Sequence, residues 1–112
     1  MPKIVFDGCV ISNFALSGSL SIIHGLFRDT SCITDFVYAE ILRGIRAGHG
    51  GLMAIPEAAE AGRLTEVSLV SRKEKTLFES LSISLGLGEA SSLAVAVCRG
   101  FRFASDDQLK YN

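Results

Sequence analysis

The chain has 112 residues, 48% of them hydrophobic and 21% charged, with a formal net charge of −1. That is enough for one compact domain, residues 1–112, and too little for two, and the composition excludes a disordered chain. No basic run announces nucleic acid or anionic lipid, so phosphate chemistry here would need a metal ion or helix N-termini.

In chain order, "KIVF" reads as a short buried strand. "ISNFALSG" and "SLSIIHGLF" read as helical, broken at Gly18. "SCIT" is a second strand. "DFVYAEILRGIRAG" has helical spacing, with Phe36, Val37, Ile41 and Leu42 recurring at three- and four-residue intervals, and Thr34 or Asp35 can cap its start. "GHGG" is a breaker and reads as an interhelix loop, since no Lys-Ser or Lys-Thr follows to make it a phosphate-binding loop. "PEAAEAG" predicts a helix starting near Pro56 and ending at Gly62. "LTEVSLV" alternates like a strand. "SRKEKTLFESLSISLG" predicts an amphipathic helix ending near Gly86, and "LGEASSLAVAVCRG" a helix opened by Gly88 and closed by Gly100. "FRFAS" is the last strand. Strands alternating with helices predict a parallel sheet covered by helices on both faces.

The longest apolar runs fall short of a membrane span, and "MPK" leads straight into a strand without a charged-then-apolar leader. The expectation is a cytoplasmic protein without membrane contact. Cys9, Cys32 and Cys98 are odd in number, far apart and set among apolar residues, which predicts reduced, buried thiols. With His24 and His49 the only histidines, they do not suggest a structural zinc site.

The acidic residues carry more information. In an open parallel sheet, ligands bind beyond the carboxyl ends of the strands. Asp7 follows the first strand there, and Asp106 and Asp107 follow the last. A turn or cap explains each of these acids as readily as a site does. Glu40 is placed at the edge of an apolar helix face, where a carboxylate needs a partner: Arg43, three residues on, or a divalent metal. Glu89 opens a helix, where the dipole alone favours an acid. Glu57, Glu60, Glu74 and Glu79 read as solvated faces. Several carboxylates cannot all ionise close together without a cation, and magnesium or manganese would supply it.

The stretches "IVFDGCVISNF", "ITDFVYAEILRG" and "LGLGEASSLAVAVCRGFRFASDD", in this order, resemble the PIN domain family of metal-dependent ribonucleases. The resemblance covers most of the chain. It implies a three-layer α/β/α sandwich with a short, mostly parallel central sheet of about four strands. It also implies that Asp7, Glu40, Glu89 and Asp106 form the acidic catalytic and metal site, with Asp107 as an extra or substitute ligand. Ser12 and Asn13 would face metal or substrate. Arg43, Arg46, Arg72, Lys73 and Lys110 are candidate phosphate contacts, with solvated helix faces as the alternative. The implied reaction is hydrolysis of RNA phosphodiester bonds with Mg2+ or Mn2+. Many short members look like toxins of toxin–antitoxin pairs, so an antitoxin protein is an implied partner.

Family members usually continue past the double aspartate with further helix and strand. The sequence here stops at Asn112. The expectation is an exposed strand edge and a homodimer or higher oligomer. A catalytically inactive module of the same fold, binding RNA or a partner, is the alternative. A phosphatase of the haloacid dehalogenase type also begins with an aspartate after a buried strand, but it needs a second acid where this chain has Cys9.

Overall fold

The computed structural model describes residues 3–105. Four strands, β1 (Ile4–Phe6), β2 (Ser31–Thr34), β3 (Thr65–Val67) and β4 (Arg102–Ala104), form one parallel sheet in the order β3-β2-β1-β4. Val5 lies opposite Cys32 on one side and Phe103 on the other. The six helices are α1 (Gly8–Leu16), α2 (Leu20–Phe27), α3 (Asp35–Arg46), α4 (Ala54–Glu60), α5 (Arg72–Leu81) and α6 (Leu87–Arg99).

Strand alternation divides the core. Ile4, Phe6 and Ile33 face one side of the sheet and pack with Ile11 of α1, Ile23 of α2 and Ile55 of α4. Val5 and Cys32 face the other side and meet Val95 and Ala96 of α6. α5 packs on α6, so helices cover both faces, as the alternation of elements predicts. α6 meets the sheet through Val95 and Ala96, and its small residues Ala90, Ser91, Ser92 and Ala94 are buried as well. α3 touches α1, β2, β3 and α6 and so ties the two layers together.

Glycine ends two elements where the backbone turns left-handed: Gly18 after α1 (φ 73°) and Gly100 after α6 (φ 69°). Thr34 closes β2 and caps α3, its hydroxyl accepting from the Val37 N–H at 3.2 Å. The same hydroxyl shares a buried 2.7 Å hydrogen bond with Ser91 of α6. Thr34→Val removes both interactions, and a loss of about 1–2 kcal/mol in chemical denaturation is expected. Thr34→Ser should restore most of it.

Three expectations are corrected. Glu74 is not on a solvated face but buried, 3% exposed. Its carboxylate receives the Arg99 guanidinium at 2.6 and 3.2 Å, and the backbone N–H groups of Val70 (2.7 Å) and Ser71 (3.2 Å). Ser71 in turn accepts from the Glu74 N–H, completing a capping box. Glu57, Glu60 and Glu79 are exposed as expected. Among the cysteines only Cys32 is buried, and burial pushes its thiol pKa up; Cys9 and Cys98 are exposed. Cys98 lies on the outward side of α6, beside the exposed Val97. Finally, α5 stops at Leu81 instead of continuing toward Gly86. Ser82 there donates its hydroxyl to the Glu79 carbonyl at 2.9 Å, a local bond that competes with further helix.

Among the described residues, no single helix is long and apolar enough to cross a membrane.

Candidate functional site

The chain passes from β1 to β2 to β3 in one direction across the sheet, then returns past them to place β4 beside β1. The strand order therefore reverses between β1 and β4, the position where open parallel sheets bind ligands. Asp7 stands at this point. Its N–H donates to the Ala104 carbonyl at the end of β4, 2.9 Å away. It is also the N-cap residue of α1, in extended conformation, yet its carboxylate makes no capping hydrogen bond to the first turn. Capping therefore does not account for this carboxylate.

Beside Asp7 lies a cleft of about 360 Å3. Its walls include Asp7 and Ser12 from the β1–α1 segment, Glu40 from α3 and Glu89 from the first turn of α6. Val37, Ile41 and Leu52 supply apolar wall, all three buried in the core. Four polar groups drawn from well-separated parts of the sequence thus share one concavity.

Glu40 stands at the edge of the apolar face of α3. The buried stripe of α3 runs through Val37 and Ile41, and Glu40 itself is exposed at the rim. Among the described residues, no ion pair joins it to Arg43. Its carboxylate instead lies against the backbone of Gly88 in α6: a β-carbon built at Gly88 would overlap Glu40 Oε1 and stand 3.2 Å from Glu40 Cδ. The Thr34–Ser91 bond holds α3 and α6 together beneath this contact, and the hydroxyls of Ser91 and Ser92 donate to the Gly88 carbonyl at 2.9 and 2.8 Å.

The other candidate residues are placed differently. Asn13 is exposed and does not line the cleft, nor does Arg43, which is exposed on α3. Arg46, Arg72 and Lys73 are exposed as well. Asp106, Asp107 and Lys110 lie outside the described residues. The wall also includes residues not singled out from the sequence as site residues, among them Cys9, exposed in the first turn of α1, and Gly88. The "GEA" stretch signals a helix start, but nothing local announces that Gly88 meets a side chain from α3.

Among the described residues, no three His, Cys, Asp or Glu side chains close around a common point as a metal site would. Apart from the Cys9 thiol, the side-chain donors in the cleft are carboxylates and a hydroxyl, the oxygen groups that hard cations prefer. Magnesium characteristically keeps several waters and takes one or two carboxylates. By type, these carboxylates would fit a cation of the magnesium or manganese kind.

No curated protein and no solved structure matches the chain significantly. The sequence pattern of a family described as PIN domain matches residues 3–112, nearly the whole length. With the four-stranded parallel sheet between helical layers, this match establishes that the chain belongs to the PIN domain family.

Proposed function

We propose that this protein is a divalent-metal-dependent ribonuclease whose active site is the acidic cleft at the β1–β4 switch point. PIN domain membership points to a nuclease-type function and to RNA as the ligand. The observation that carries the site assignment is the meeting of Asp7, Glu40 and Glu89 in one cleft at that switch point. Asp7, Glu40 and Glu89 would hold Mg2+ or Mn2+, with Asp106 and Asp107, which lie outside the described residues, as further candidate ligands. When bound, the cation polarises a phosphate oxygen and lowers the pKa of a water that can attack phosphorus.

The chain's own residues bind and orient. Asp7 is held at the end of the sheet by the Ala104 carbonyl, which receives its N–H. Glu89 sits in the first turn of α6, on the cleft wall. The Ser12 hydroxyl, on the same wall, can donate to a phosphate oxygen. Asn13 and Arg43 contact the RNA beyond the cleft edge. With a net charge of −1 the protein has little long-range attraction for RNA, so affinity is concentrated at the loaded site.

The narrower assignment is the toxin of a toxin–antitoxin pair, and it rests on the family resemblance. An antitoxin protein is then the expected partner. Self-association is a further part of this reading, since among the described residues β4 has a sheet neighbour on one side only. A homodimer is expected in sedimentation at micromolar concentration, and a monomer would contradict it.

A second reading, an inactive RNA- or partner-binding module, is favoured by one observation: no three acidic groups converge among the described residues. Incubation of labelled RNA with the protein and Mn2+, with and without chelator, separates the two. The ribonuclease reading expects cleavage that the chelator abolishes. Binding without cleavage supports the second.

A further inference from the structure

Gly88 occupies the second position of α6 and is buried, without the left-handed backbone that would require a glycine. Alanine at such a helical position is ordinarily favoured by about 0.5–1 kcal/mol. The backbone therefore gives no reason for glycine here, but the space does. A β-carbon would overlap Glu40 Oε1, lie 3.2 Å from Glu40 Cδ and come within 3.3 Å of Val37 Cγ2. The nearest obstacle is thus the far end of an exposed side chain that can swing into water. The next is a core methyl that must give by a few tenths of an ångström.

We propose that Gly88 is a positioning residue, whose missing side chain lets the Glu40 carboxylate lie against the first turn of α6 and so share a wall with Glu89. This inference rests on the metal-site reading above and adds to it a residue that touches neither metal nor substrate. The Ser91 and Ser92 hydroxyls, both donating to the Gly88 carbonyl, fix that turn in place. A methyl group at position 88 displaces Glu40 without unfolding the helix, because the propensity gain offsets the small push on Val37.

The test is Mn2+ binding, followed by electron paramagnetic resonance, for wild type, Gly88→Ala, Glu40→Gln and the double variant. Thermal melting of each runs in parallel. Gly88→Ala is expected to melt within a few degrees of wild type and to lose about tenfold in Mn2+ affinity, the scale of losing a group that orients a ligand. Glu40→Gln loses at least as much, and the double variant loses no more than Glu40→Gln alone, because both changes act through one carboxylate. Wild-type affinity in Gly88→Ala overturns the inference and leaves the metal site standing. So does a second, additive loss in the double variant. Absence of Mn2+ binding by wild type removes the metal-site reading itself, and this inference with it.

Discussion

Glu74→Ala should lower the stability of the fold by about 3–4 kcal/mol, because it breaks a buried ion pair and uncaps a helix. The change removes the acceptor for Arg99 and for two backbone N–H groups at the start of α5. Arg99 would remain, its side chain 25% exposed, beside the Ser68 carbonyl that takes its other donor at 2.6 Å. On melting, this loss corresponds to a drop of about 10–20 °C. Glu74→Gln keeps an acceptor for the backbone and should lose clearly less.

The same group makes the fold sensitive to acid. Hydrogen bonding from Arg99, against the opposing effect of burial and with help from the Val70 and Ser71 N–H groups, lowers the Glu74 pKa from 4.5 to about 2. A depressed carboxyl pKa stabilises the fold above the unfolded value and loses that contribution as pH falls through the folded one. Between pH 5 and pH 2 the protein should therefore lose about 3 kcal/mol through this residue. Denaturation curves of wild type and Glu74→Gln should converge over that interval. Parallel curves would show that Glu74 is not the group responsible.

Asp7→Asn is expected to produce the largest functional effect. Asparagine keeps the size and the N-cap preference of aspartate, so melting should change little. Replacing a group that orients a metal ligand typically costs 10–100-fold, so removing a ligand carboxylate should weaken Mn2+ binding by about a hundredfold or more. Calorimetric titration measures this directly. Unchanged affinity would remove Asp7 from the metal site.

Much of the fold is legible in the sequence for identifiable reasons. "KIVF" and "SCIT" are short apolar runs that a central parallel strand requires, and both became buried strands. The three- and four-residue recurrence of apolar groups in "DFVYAEILRG" specified α3, with Thr34 as its cap. Glu74 was hidden because Arg99, its partner, is 25 residues away and because polar neighbours mimic a solvated face. A local signal did exist: serine at position 71 followed by glutamate three residues later is a capping box. The apolar neighbours of Cys98 suggested a buried thiol, but α6 turns only part of its surface to the sheet, which leaves Val97 and Cys98 outside.

The candidate site was legible residue by residue but not as an arrangement. Asp7 stood out as a charge ending a buried strand, and the cleft lies beside it. The expected partners of Glu40 were a neighbour on its own helix or a metal. The contact the structure shows is with Gly88, 48 residues on, and only the packing of α3 on α6 brings it there.

The central claim is metal-dependent RNA hydrolysis at the acidic cleft. Its most direct test is cleavage of a mixed RNA pool in Mn2+ by wild type beside Asp7→Asn, both shown by melting to be folded. Cleavage by wild type, lost on chelation and nearly absent in Asp7→Asn, is the predicted result. Equal cleavage by both, or none by wild type, would contradict it.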